Sequence, residues 1–365
     1  MRTRPLLTVV AAALGTLIVS GLPGASATPS SPAPAPDPRP DRSWQQVEPF
    51  TDQGLRGLAV AGPNRVWVAG DDGGVFRTGD GGRRWVDVSP ETDTPLAFRD
   101  VEVVAPGVAV VMSIGTGTDS RIYRTTDAGR SWREVFRNRD PQAFYDCVSM
   151  WPDGRHGIAF SDPVDGRFRI IRTADAGRTW RVVKPRRMPR ALEGEFAFAA
   201  SGTCIETAGR TRAWFGTGGA DARVFRTTDR GRTWRVSRVP IRAGESSGVN
   251  SIEFRGPRVG VAVGGDFAAP GRGRRTVAVT TDGGLTWQRG ADARGYRSAV
   301  AFRRPSSTSV VVAVGSGGSD LSPDAGRHWR PVGDLSLDAV RCVSGTCWGS
   351  GQDGVVARLR LGGSR

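Results

Sequence analysis

Histidine, lysine and tyrosine are almost missing from this chain of 365 residues. His156 and His328 are the only histidines, Lys184 is the only lysine, and Tyr123, Tyr145 and Tyr296 are the only tyrosines. With so few imidazoles, and His328 inside a repeated turn, no metal or haem site is apparent, and no cofactor is expected. No G-x-G-x-x-G run follows a strand and opens a helix, so the usual dinucleotide-binding signature is absent. No stretch has the period of a long amphipathic helix. Neither a recognition helix nor an aromatic–basic platform can be found, which argues against a nucleic-acid reader. The one apolar run, Leu6 to Val19, is too short for a comfortable membrane span, so no stable membrane insertion is expected.

Arginine and glycine are plentiful instead. The formal charge is +15, carried almost entirely by Arg, and there are 50 Gly. Arg2 and Arg4, the apolar run and Ala25-Ser26-Ala27 read as a secretory leader cut after Ala27. No Cys follows the run and the two Arg are not adjacent, so neither a lipoprotein nor a twin-arginine signal is supported. Residues 28–42 hold six Pro and no apolar cluster, and read as an extended, disordered spacer. The domain plan is therefore leader 1–27, spacer 28–42 and one folded unit, 43–365. A secreted chain meets an oxidising compartment, which suits four Cys. Cys342 and Cys347 flank a turn-like Val343-Ser344-Gly345-Thr346 and are expected to form a local disulfide. Cys147 and Cys204 lie near the starts of successive repeats and are candidates for a bridge between neighbouring strands. The alternative for both pairs is free buried thiols. Export points the positive charge toward an anionic cell-envelope polymer rather than nucleic acid.

The folded unit is organised by one phrase, [ST]-x-D-x-G-x-[TS]-W, best seen in Thr173 to Trp180. It recurs at Thr78–Trp85, Thr125–Trp132, Thr227–Trp234, Thr280–Trp287 and Ser322–Trp329, with Trp spaced 47, 48, 54, 53 and 42 residues apart. A period of 40–50 residues marks a repeat architecture. In each copy the Asp (80, 127, 175, 229, 282, 324) accepts hydrogen bonds from its own turn, and Gly supplies a positive φ. The Trp (85, 132, 180, 234, 287, 329) then fills the seam between sheets. The phrase resembles the Asp-box, or bacterial neuraminidase repeat, of β-propellers. What that resemblance implies is structural, because the box lies on an outer hairpin.

Reading back from each box gives an all-β, seven-bladed β-propeller. The blades are Leu55–Val88, Phe98–Phe136, Phe144–Val183, Phe196–Val239, Val249–Arg289, Tyr296–Val332 and Leu337–Leu361. The last has only three strands and no box. Ser43-Trp44-Gln45-Gln46-Val47 matches Ser131-Trp132-Arg133-Glu134-Val135 in shape, so the N-terminal strand should complete the seventh blade and close the ring.

In such a ring, sites gather where the inner strands start. Those starts are polar here, which nominates Arg56, Arg99, Asp100, Tyr145, Asp146, Asn250, Arg297 and Asp338, joined by Asp266 from a loop returning to the same face. Convergent Arg, Asp and Tyr at a channel mouth suit a polar ligand; the alternative is that they satisfy one another and channel water. Asp162-Pro163-Val164-Asp165-Gly166 offers two carboxylates for acid–base chemistry, or simply a turn. Catalytic candidates are thus Asp146, Asp162, Asp165 and Tyr145.

Three Asp-box families compete. Sialidases use an Arg triad, a Tyr nucleophile and an Asp acid/base. Tyr145 with Arg56, Arg99 and Arg297 is the one constellation that imitates them, and the Arg-Ile-Pro signature is missing. Xyloglucan-type endoglucanases work in a cleft between two tandem propellers, which one propeller does not make. The R-T-x-D-x-G-x-T-W phrasing, with Ser113-Ile114-Gly115-Thr116-Gly117 and Trp214-Phe215-Gly216-Thr217-Gly218-Gly219, is similar to the photosystem II stability/assembly factor group. That resemblance implies a non-enzymatic, exported propeller that binds a partner polypeptide. The expectation is a secreted, monomeric binding propeller whose partner is a protein or an anionic envelope polymer. The alternative is an exported glycoside hydrolase.

Overall fold

The computed structural model describes residues 43–183, 187–304 and 309–362. The leader and spacer expected over 1–42 lie outside the described residues. Among those residues the chain forms seven antiparallel sheets, six of them four-stranded, with one three-residue 3-10 turn, Gly117–Asp119. Among the described residues, no helix is long and apolar enough to cross a membrane.

The seven inner strands are Leu55–Gly62, Phe98–Ala105, Tyr145–Met150, Ile205–Ala208, Ser247–Arg255, Ala299–Phe302 and Ala339–Val343. Each packs against the next, and the seventh packs against the first, so they form a closed ring around a channel. Closure is by the expected route. Gln45–Gln46 pairs antiparallel with Val356–Arg360, the third strand of the last blade. Trp44, just before it, packs among Leu337, Val340, Leu359 and Val332, and its indole donates to Ser319 Oγ of blade six at 3.0 Å. Residue 44 thus fills for blade seven the seam that a box Trp fills elsewhere.

The repeated turns show why Asp and Gly are required. Asp175 accepts from the Thr179 N–H at 2.9 Å, the Thr179 hydroxyl at 2.7 Å and the Thr173 hydroxyl at 2.8 Å. The Thr173 hydroxyl in turn accepts from the Gly177 N–H at 3.0 Å. Both residues after the Asp are left-handed, Ala176 at φ 62° and Gly177 at φ 76°. A Cβ on Gly177 would also come within 3.0 Å of Val110 Cγ1 in the neighbouring blade, so the turn is wedged against that blade as well as folded on itself. Trp180 follows and is buried among Val110, Met112 and Ile122 of blade two and Val148, Ala159 and Ile171 of blade three. The core is therefore a set of seams between blades rather than one central mass.

Blade four departs from the sequence reading. The sequence pattern starts the blade at Phe196, but its inner strand begins at Ile205, a few residues past Ser201-Gly202, and Phe196 lies outside it. Glu195–Phe196 instead pairs with Gly218–Gly219, which pairs with the inner strand of blade five and gives that blade six strands. The segment Ala197–Ala200 that follows lines the channel mouth.

Both disulfides form. Cys147 and Cys204 join the starts of the third and fourth inner strands, with Cα atoms 6.1 Å apart. Cys342 and Cys347 face one another across the hairpin of blade seven, 4.0 Å apart at Cα. Ser344 (φ 48°) and Gly345 (φ 75°) make that hairpin's two-residue turn.

Candidate functional site

Four of the inner strands open with the same irregularity. The register slips by one residue between Leu55 and Gly57, Phe98 and Asp100, Tyr145 and Cys147, and Val249 and Ser251. The extra residue in each bulge is Arg56, Arg99, Asp146 or Asn250. A bulge withdraws one residue from the ladder and re-aims its side chain. The fold uses that device four times at one end of the channel.

Three of these residues, Arg56, Asp146 and Asn250, line a cavity of about 490 Å³ at the channel mouth. Asp162 and Asp338 join them. Apart from Ser316, the remaining wall is largely apolar, built from Phe144, Phe198, Phe267, Tyr296 and the alanines of the segment 197–200. Phe198, Phe267 and Tyr296 form an edge-on ladder, with centroids 5.7 and 6.3 Å apart, and Phe267 is 48% exposed. Arg99 stands beside this wall and donates to the Ala199 carbonyl at 3.4 Å. Its burial, and then the nearby Arg56, lower its pKa to about 10.

The polar groups here are only partly satisfied by the protein. Asn250 is fully buried, and neither its amide oxygen nor its nitrogen has a protein partner; Asp146 Oδ2 is likewise unpartnered. Burial, with Asp162 adding repulsion, pushes the Asp146 carboxyl well above the usual range. Asp162 accepts from the Ala197 N–H at 2.8 Å, yet burial still raises it to about 6. Asp338 is held by Arg56 (3.5 Å) and by the Gln352 amide.

Other nominated residues sit elsewhere. Asp100 lies below the mouth, where Oδ2 accepts the Val148 N–H at 2.8 Å and ties blade two to blade three. Gly202 packs so close to it that a Cβ there would fall 2.2 Å from Oδ1. Arg297 is fully buried and bound through Nε and Nη2 to Asp320 within blade six. The Tyr145 side chain turns into the seam against Phe136, 5.3 Å away, so it does not join Arg56 and Arg99 in a sialidase-like triad. Asp165 is exposed at the tip of a hairpin, with φ 54° beside Gly166 at 72°, which is the turn role. Asp266 accepts from Ser246 Oγ at 2.7 Å and the Ala268 N–H at 3.1 Å, and organises the loop that presents Phe267.

The sequence reading passed over a second group, toward the opposite end of the channel. Glu102, Glu206, Glu253, Arg304 and Arg341 line a cavity of about 520 Å³. Arg304 meets Glu253 at 2.8 Å and Glu206 at 3.8 Å; Arg341 meets Glu253 at 3.6 Å and Glu102 at 3.7 Å. Burial raises Glu102 to about 7 against the pull of Arg341, and raises Glu206 well above the usual range. A signal was present: Val101-Glu102-Val103, Ile205-Glu206-Thr207, Ile252-Glu253-Phe254 and Val340-Arg341-Cys342 each place a charge inside an apolar inner strand. Among the described residues, no group of three or more His, Cys, Asp or Glu is arranged to hold a metal ion.

No family model matches the chain, and no curated protein matches it either. Solved structures do. YCF48 bound to a D1 peptide superposes with a TM-score of 0.62 at 16% identity, over 91% of this chain and 99% of that one. YCF48 from Cyanidioschyzon merolae gives 0.58 at 17%, over 87% and 99%. Virginiamycin B lyase from Staphylococcus aureus gives 0.61 at 14%, also over 87% and 99%. This chain is a seven-bladed propeller resembling the photosystem II assembly factor YCF48. At these identities the likeness concerns fold, and the same fold carries a lyase in one neighbour and a peptide-bound protein in another.

Proposed function

We propose that the chain is an exported, monomeric binding propeller that takes an extended polypeptide segment at its channel mouth. The observation that carries this reading is Asn250, buried with both amide atoms unpartnered in an aromatic-walled cavity. A side-chain amide offers one acceptor and two donors, which complements a peptide group. Leaving such a group buried without a partner costs about 1–3 kcal/mol, a cost that a bound segment removes. The Phe198–Phe267–Tyr296 ladder supplies the apolar contact area, and Arg56 with Arg99 gives one sector a positive charge. The peptide seen on YCF48 supports the same class of ligand. The leader expected over residues 1–27 and the two disulfides support export.

Selection from a displayed library of twelve-residue peptides tests the idea. Enriched sequences should bind the wild type and lose at least about tenfold in affinity with Asn250→Ala or Phe267→Ala, the equivalent of 1.4 kcal/mol or more. If nothing is enriched, or if the enriched peptides bind both variants undiminished, the mouth is not a peptide site.

One observation favours a second reading, an exported glycoside hydrolase. Asp146 and Asp162 share the cavity, and both have raised pKa values, a usual property of catalytic acids. A screen of sialosides and plant and bacterial polysaccharides separates the two. Hydrolysis abolished by Asp162→Asn without loss of thermal stability would make the chain a hydrolase.

A further inference from the structure

Several arginines on the mouth face are neutralised by ion pairs, although Arg139, Arg167 and Arg274 there have no carboxylate partner among the described residues. On the mouth face, Arg137 meets Asp93 and Glu134, Arg169 meets Asp140, Arg238 meets Asp221, and Arg294 meets Asp334. The opposite face carries the repeated turns. There Arg130, Arg178 and Arg232 sit exposed at the turns of blades two, three and four and Arg327 at that of blade six, with Arg155 and Arg258 on inner hairpins; the blade-five turn carries Leu285 instead. None of these six has a carboxylate partner among the described residues; the salt bridges place their acids elsewhere. The turn Asp side chains are folded into their own loops, as Asp229 is on the N–H groups of Arg232 and Thr233 at 3.0 and 2.9 Å. In blades two, three, four and six the turn carboxylates are therefore directed inward and a guanidinium outward; in blade one Arg84 instead pairs with the turn Asp80. Further Arg on the third strands, such as Arg124 and Arg172, add to the same sign.

We propose that this face binds a linear, phosphate-bearing polyanion laid across several blades. Guanidinium is the side chain suited to phosphate, because its fork engages two oxygens at once. The arginines are spread around a rim rather than gathered in a pocket, which matches a repeating chain better than a compact anion. The channel opening on this face is lined by Glu102, Glu206 and Glu253 together with Arg304 and Arg341, which pair with them, so the exposed rim rather than the channel carries the unpaired charge. This site is separate from the mouth and stands whether or not the mouth binds peptide.

The test uses the purified chain and long-chain inorganic polyphosphate, titrated at several salt concentrations. Two triple variants remove equal charge: Arg130→Gln/Arg178→Gln/Arg232→Gln on the turn face, and Arg139→Gln/Arg167→Gln/Arg274→Gln on the mouth face. The turn-face variant should weaken binding at least tenfold and lower the salt slope by about 2, since each phosphate contact contributes roughly 0.7 for a flexible single strand. The mouth-face variant should change affinity less than twofold. Thermal unfolding of both variants should match the wild type, because all six side chains are exposed. Equal weakening by the two variants would reduce the effect to net charge and overturn the proposal. Tripolyphosphate binding as tightly as the long chain would overturn the polymer. Dextran sulfate or single-stranded DNA binding more tightly than polyphosphate would assign the face to a different partner.

Discussion

At the scale of single residues, the six turn aspartates are the most constrained groups in the fold. Asp127 is held to about 2 chiefly by the Ser131 hydroxyl and then by the Ser131 N–H. Asp282 is also near 2: burial works against ionisation there, and the Thr286 hydroxyl and N–H outweigh it. An unfolded aspartate titrates near 3.9. The folded value is the lower one, so this stability is complete above about pH 4 and is lost as pH falls toward 2. Acid unfolding followed by tryptophan fluorescence should therefore show its main loss between about pH 4 and 2. Asp127→Asn should flatten that dependence; an unchanged acid limb would mean other carboxylates control it. At neutral pH, Asp175→Ala removes three accepted bonds and should cost about 1–3 kcal/mol in urea unfolding. These residues were legible from sequence because their partners are local, within four positions along the chain. The mouth residues were only partly legible. Arg56, Asp146 and Asn250 reach one cavity because each occupies a bulge, and no residue type marks a bulge in advance. Tyr145 and Arg297 were drawn into the same nomination by position alone, one residue away from the phase that faces the mouth.

At the scale of elements, the two disulfides have different work. Cys342–Cys347 spans five residues inside a hairpin already fixed by its turn; Cys147–Cys204 spans 57 residues and ties two blades together. By loop-closure entropy the short bridge contributes about 2 kcal/mol and the long one about 4 kcal/mol, as upper values. Cys147→Ala/Cys204→Ala should accordingly lower the melting temperature more than Cys342→Ala/Cys347→Ala. The reverse order, measured by calorimetry, would show that native packing around the hairpin rather than chain entropy governs. Blade four shows why the sequence pattern puts one blade boundary too early. Glu195-Phe196-Ala197-Phe198 has the alternation of an inner strand, but the bridge at Cys204 anchors the true strand start nine residues later than Phe196 would allow. Glu195 is buried against Arg223 and the Thr217 hydroxyl, which holds the earlier segment out over the mouth. Long-range partners decided that segment, and local pattern carries no trace of them.

At the scale of the whole molecule, a ring has no core to fall back on if one seam opens. Each blade is held by its two neighbours, and the seventh exists as a four-stranded sheet only because the chain's first described strand returns to it. That closure could be read from sequence, since Ser43-Trp44 repeats the end of a box without the box before it. Trp44 contributes a half-buried indole, packed on Leu337 and Leu359, and one hydrogen bond across the seam to Ser319. Trp44→Ala should cost about 2–3 kcal/mol, below the 3–5 kcal/mol typical of a fully buried Trp because part of the ring is exposed. Deleting residues through Gln46 should cost more. It also leaves Val356–Arg360 as a bare edge carrying unpaired N–H and C=O groups, a template for pairing with a second chain. The truncated protein should therefore melt earlier and run as concentration-dependent oligomers by light scattering, whereas Trp44→Ala should melt earlier and stay monomeric. If the truncation were to remain monomeric with an unchanged melting temperature, the last blade would be stable on three strands, and closure would be a consequence of the fold rather than a condition for it.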